Sequence, residues 1–129
     1  MAFQFQHHYS REEARALLPL IRQWLEELQA LRLQLRHLHN VMNGPLSEGA
    51  DLGGADVQAW VKALVKLRRI MREFRQREIQ IKDLDRGLID FPAIIGGREV
   101  FLCWEKDEED VEHWHDLDTG FAGREPLLE

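Results

Sequence analysis

Leu88-Ile89-Asp90-Phe91-Pro92-Ala93-Ile94-Ile95-Gly96-Gly97-Arg98-Glu99-Val100-Phe101-Leu102-Cys103-Trp104 consists of two apolar, β-branched and aromatic runs on either side of a glycine pair. Two glycines in that setting signal a tight hairpin, because glycine accepts the positive φ that the central positions of such a turn demand. A two-residue turn at Gly96-Gly97 fixes the register. Ile95 then faces Arg98, Ala93 faces Val100 and Asp90 faces Cys103. Side chains alternate between faces, so Phe91, Ala93, Ile95, Val100, Leu102 and Trp104 share one side, which must be covered. Pro92 falls at a non-hydrogen-bonded pair, where the ladder does not need its missing N–H.

Upstream of the hairpin, Ile79 and Ile81 alternate with polar residues and lead into the turn-rich Asp83-Leu84-Asp85-Arg86-Gly87. A three-stranded antiparallel meander over 79–104 is expected. Further upstream the apolar period becomes helical. Leu17, Ile21, Trp24, Leu28, Leu31, Leu35, Leu38 and Met42 recur at steps of four and three, as do Val57, Trp60, Leu64, Leu67, Met71 and Phe74. The first set has the form of a coiled-coil seam. Ser10 with Glu13 makes a capping box that opens the first helix, and Pro19 predicts a bend near Ala16. Asn43-Gly44-Pro45 ends that helix, a glycine-rich loop runs through Gly53-Gly54, and Asp56 is the expected N-cap of the second. So short a loop implies an antiparallel helical hairpin over 10–78.

Downstream, Asp107 is expected to cap a short C-terminal helix. Glu108, Glu109 and Asp110 would occupy its positive first turn, Val111, Trp114 and His115 would face inward, and Gly120 would end it. Phe3 and Phe5 alternate with glutamines and suggest a further edge strand. The expected fold class is α+β in one domain, 1–129: a long antiparallel helical hairpin, a small three-stranded meander, and an acidic C-terminal segment over 105–129 carrying a short helix.

The composition, 129 residues with 44% hydrophobic, fits one globular core rather than a disordered chain. No run is long and apolar enough to span a membrane, and Met1 to Tyr9 lacks the pattern of a secretory signal. The single cysteine, Cys103, cannot form an internal disulfide, so a cytoplasmic location is expected. Charge is unevenly placed: 13 Lys/Arg against 9 Asp/Glu through Lys82, then 4 against 14 from Asp83 onward. Attraction between the helices and the acidic tail is the expected consequence. The second helix is densely basic, with Lys62, Lys66, Arg68, Arg69, Arg72, Arg75 and Arg77. The net charge of −6 and the lack of a nucleic-acid motif nonetheless argue against nucleic acid as a partner.

Two further residue sets could carry chemistry. Asp90 and Cys103 meet across the hairpin on the face turned away from the helices, and His115 lies on the segment best placed to cover it. With Glu108 these form a candidate ligand set for a divalent metal such as zinc, while Cys103 with His115 could instead be a nucleophile and base. The plain alternative is a small buried cysteine and a hydrogen-bonded core histidine, since no Cys-x-x-Cys or His-Glu-x-x-His spacing is present. Asp90, Trp114 and Arg124 are candidate ligand-binding residues, Arg124 offering a planar fork for a carboxylate or phosphate unless an acid of its own domain takes it. His7, His8, His37 and His39 are expected at the solvated surface.

The run Lys82 to Pro92, the segment Gly97 to Trp104, Trp114-His115 with Gly120-Phe121-Ala122-Gly123-Arg124, and the opening Glu12 to Pro19 together resemble a bacterial family of uncharacterised proteins, domain of unknown function 2203. The resemblance spans nearly the whole chain and places Asp90, Cys103, Trp104, Glu108, Trp114, His115 and Arg124 at family-motif positions. Where the family usually reads Gly-Glu-Pro this chain has Asp107-Glu108-Glu109, so Glu108 matches and its neighbours differ. The resemblance implies no activity.

Two functional readings follow from the residues. One is a noncatalytic interaction or scaffold domain forming a homo-oligomer, because Leu18, Leu25, Leu33, Val61, Val65 and Ile70 lie off the primary seams and several such side chains left exposed would favour association. The other is a metal- or small-molecule-binding protein, or an enzyme, with its site on the outer sheet face beneath the C-terminal segment. Light scattering separates the first from a monomer, and elemental analysis tests the second.

Overall fold

The computed structural model describes residues 2–43 and 54–128. Helix α1 spans Arg11–Asn43 and α2 spans Ala55–Gln76, followed by strands β1 (Gln80–Asp83), β2 (Leu88–Ile95), β3 (Arg98–Glu105), β4 (His113–Asp116) and β5 (Glu125–Pro126). The strands form one antiparallel sheet in the order β1-β2-β3-β4-β5. Among the described residues no helix is long and apolar enough to cross a membrane.

The capping box forms as read. Glu13 N–H donates to Ser10 Oγ at 3.1 Å and Ser10 N–H donates to Glu13 Oε1 at 2.9 Å. From there α1 continues as one unbroken helix through Pro19, the residue from which a bend near Ala16 is expected. The expected loop from Gly44 to Gly53 lies outside the described residues. The N-cap of α2 is Gly54, while Asp56 sits inside the first turn, where its charge suits the helix dipole.

Trp24 meets Phe74 and His39 meets Trp60, so the two helices run in opposite directions against each other. α1 also serves a second partner. Ala14, Leu18, Ile21, Leu25 and Leu28 are buried in one cluster with Ile89, Phe91, Ala93, Val100, Leu102 and Trp104 of the sheet. Burying each larger side chain contributes roughly 1.5–3 kcal/mol. Leu18 and Leu25 therefore lie deep in the protein's own core, although the heptad reading places them off the seam. A two-partner helix needs a wider apolar stripe than a seam.

The hairpin has the register set by its turn: Ile95↔Arg98, Ala93↔Val100 and Asp90↔Cys103. Both turn glycines have positive φ, 59° at Gly96 and 76° at Gly97.

The expectation of three strands and a short C-terminal helix is corrected. The sheet has five strands, and from Asp107 onward the described chain makes no α-helix, its one helical turn there being the 3₁₀ turn at Phe121–Gly123. The backbone groups that a helix from Asp107 would use are committed elsewhere. The Glu108 carbonyl accepts the Trp104 indole N–H at 2.9 Å and Arg22 Nη2 at 2.7 Å. The Glu112 carbonyl accepts Leu127 N–H at 2.7 Å. β4 then pairs with the open edge of β3, which would otherwise leave a row of unpaired backbone groups.

Residues 2–10 form no strand either. Their N–H groups go to carboxylates: Gln4 and Phe5 donate to Glu99, and Gln6 and His7 donate to Glu78. His8 Nε2 contacts Glu99 Oε2 at 2.7 Å and is only partly exposed, whereas His7 is exposed, as expected, with one ring face stacked on Tyr9. Tyr9 is buried, its N–H donating to the Pro92 carbonyl and its hydroxyl to the Arg77 carbonyl. These contacts tie the start of the described chain to β2 and to the end of α2.

Candidate metal centre

The face of the sheet away from the helices carries Asp90 on β2, Cys103 on β3 and His115 on β4. Asp90 is opposite Cys103, and His115 is opposite Phe101, one step of the pleat along β3. The alternation that sends Phe91, Leu102 and Trp104 into the core sends these three to the other side. They are 1%, 0% and 2% exposed, and one ligand atom from each lies within 4.8 Å of the others.

The hydrogen bonds define the imidazole. His115 Nδ1 is 2.7 Å from the Asp116 carbonyl, which can only accept, so Nδ1 carries a hydrogen. Nε2 is 2.9 Å from Asp90 Oδ2, within hydrogen-bond distance. Asp90 Oδ1 is buried with no hydrogen-bond partner among the described residues. Burial pushes the Asp90 carboxyl above its ordinary range, against the opposing pull of His115, Lys82 and the Cys103 thiol.

Burial also pushes the Cys103 thiol up to about 12, with Asp90 adding to the rise and Arg124 opposing it. A thiol held in that state is not an activated nucleophile, and His115 Nε2 is directed at Asp90. Zinc holds its ligands at about 2.0–2.3 Å, which places ligand atoms roughly 3.3–3.7 Å from one another; in the trio His115 Nε2 and Asp90 Oδ2 are 2.9 Å apart, and one ligand atom from each residue lies within 4.8 Å of the others.

Glu108 stands outside this trio. Its carboxylate accepts Arg124 Nη1 at 3.0 Å and Nη2 at 2.8 Å, a two-pronged pairing, together with the Glu105 N–H at 2.8 Å. Desolvation raises its pKa, but these donors outweigh it and hold Glu108 below the ordinary range. Arg124 is thus taken by an acid of its own domain while also touching the Cys103 thiol. Trp114 pairs with Leu102 and packs against the core on the helix side, so it does not share the face of Asp90.

Three residues near the trio were not singled out in the sequence. Lys82 and Thr119 line the same concavity as Asp90 and His115. His113 is opposite Cys103, with its buried Nδ1 3.6 Å from Glu108 Oε2. The strand alternation of Ile79-Gln80-Ile81-Lys82 already puts Lys82 on the outer face. Nothing in the sequence brings Thr119 back over the sheet.

Fold and site together define an antiparallel five-stranded sheet backed by two helices, with a buried carboxylate, thiol and imidazole gathered on its outer face. The chain belongs to the family described as uncharacterized conserved protein (DUF2203), whose model matches residues 7–127. No curated protein and no solved structure matches it.

Proposed function

We propose that this protein binds a divalent metal ion of the zinc type through Asp90, Cys103 and His115. The observation that carries this reading is the imidazole: its Nδ1–H is given to a backbone carbonyl, and its Nε2 faces a buried carboxylate beside a buried thiol. Metal-binding histidines are commonly oriented in this way by their second nitrogen. The unpartnered Asp90 Oδ1 is a further unsatisfied acceptor within the same cluster. Oxygen, sulfur and nitrogen donors in one set of three suit zinc and leave a fourth position for water or a ligand.

The test is elemental analysis of protein purified without a histidine tag, followed by thermal melting with added zinc, nickel or manganese. Near-stoichiometric metal and a raised Tm are expected. Cys103→Ala abolishes the uptake and costs the metal-free protein about 1 kcal/mol. Substoichiometric metal together with unchanged melting sinks the reading.

A second reading, a homo-oligomer assembled through the helices, is narrower than the sequence suggests. Leu18, Leu25 and Ile70 are buried within the chain, but Leu33, Val61 and Val65 remain 63%, 52% and 51% exposed. Val57 lies four residues before Val61, giving α2 a short apolar stripe. Light scattering over a concentration series decides it, and a monomer throughout removes it.

A further inference from the structure

Asp90 and His115 line a concavity of about 290 Å³ together with Lys82, Leu88 and the segment Leu117 to Phe121. Cys103 is not among its lining residues, so the thiol lies beneath the trio and the opposite side of the cluster opens to the concavity. Three protein ligands leave one coordination position unfilled, and among the described residues this concavity offers a small molecule an approach to it.

The groups around that opening indicate what it would take. Lys82 sits where the β1–β2 register shifts between Ile81 and Asp83, a bulge of the kind that re-aims a side chain beside a site. Its Nζ lies 4.9 Å from the centroid of the Phe101 ring and acts on Asp90, and among the described residues it makes no ion pair. Asp118 contributes a negative charge to the same wall, which disfavours a doubly charged anion such as phosphate. Leu88 and Phe121 supply apolar surface, and Phe121 is held with Arg86 and Arg124 over its ring at 4.4 and 4.3 Å. At about 290 Å³ the space lies at the small end for ligand pockets.

We propose that this concavity binds a short monocarboxylate, one oxygen on the metal, the charge met by Lys82 and a small apolar substituent against Leu88 and Phe121. The assignment rests on the metal reading above and adds the ligand class to it.

The experiment loads the full, untagged chain with cobalt(II), whose visible spectrum reports coordination, and titrates it with sodium acetate and sodium butyrate against sodium chloride at matched ionic strength. A saturable spectral change with both carboxylates is expected. Lys82→Gln raises the acetate Kd about fivefold, the worth of one partly screened charge contact, without weakening cobalt binding, and Lys82→Arg restores most of it. A cobalt spectrum indifferent to carboxylate overturns this proposal and leaves the metal reading standing. An acetate response equal in Lys82→Gln and the unaltered chain, or phosphate binding tighter than acetate, also overturns it. Failure to acquire a cobalt spectrum removes the metal reading and the carboxylate with it.

Discussion

Glu108 joins three separate parts of the molecule through five hydrogen bonds accepted by its carboxylate and carbonyl oxygens. Its carboxylate holds both prongs of Arg124 and the Glu105 N–H, and its carbonyl holds the Trp104 indole and Arg22 of α1. Glu108→Ala strips the carboxylate contacts and leaves a partly buried guanidinium beside the Cys103 thiol, so it should cost about 1.5–3 kcal/mol. Glu109→Ala, at an exposed neighbour, should stay within about 0.5 kcal/mol. Urea denaturation of the two variants measures the contrast, and equal losses would show that Glu108 is no anchor. The opposition of Asp90 and Cys103 could be counted from the glycine pair alone, because a two-residue turn leaves no freedom in register. The role of Glu108 could not: four acids in a row imitate a helix start, and the donor that claims this one, Arg124, lies 16 residues away.

Among the elements, the hairpin was legible and the end of the sheet was not. β2 and β3 carry strong alternation and a defining turn, whereas β4 is only four residues long and β5 only two. Segments so short carry no periodicity of their own and are strands because an edge is there to receive them. In the same way, α1 shows one seam in its heptads, while its burial reflects two neighbours. Turn geometry gives the test at this scale. Gly97 has φ of 76° and open space where a Cβ would project, while Gly87 has φ of 68° and would place a Cβ 2.6 Å from the Cβ of Lys106. Gly97→Ala should cost about 1–2 kcal/mol from backbone strain alone. Gly87→Ala should lose at least about 1 kcal/mol more, since it must also displace β3's end from α1. Equal urea midpoints for the two variants would refute the clash.

At the scale of the whole molecule, the uneven charge is met on α1 rather than on the basic helix. Asp110 pairs with Arg15 at 2.8 Å, and the Asp85 carboxylate of the β1–β2 turn meets Arg32 at 2.9 Å. Arg15 first, with the Val111 N–H and Arg11, holds Asp110 below the ordinary carboxylate range. Desolvation raises the Glu99 carboxyl, but His8 and the Phe5 and Gln4 N–H groups outweigh it and leave it lowered. A carboxylate with a depressed folded-state pKa contributes stability that is present above its unfolded value and lost as pH falls through the folded one. Stability should therefore decline as pH drops below about 4, and the decline should be shallower in an Asp110→Asn, Glu99→Gln double variant. Urea titrations at several acidic pH values check this, and identical slopes would mean that other groups govern the acid limb.

The length of α1 gives the molecule two mechanically different ends. Its 33 residues extend roughly 50 Å, yet among the described residues the side-chain hydrogen bonds and ion pairs that tie it to the strand layer stop at Arg32. Past that point α1 faces α2, as where the His39 ring meets Trp60. Deuterium should enter the outer turns through brief fraying of the paired helices, while amides near Ile21 wait for the entire core to open. Fraying in the last turns of α1 should therefore leave the buried cluster beneath the tail undisturbed.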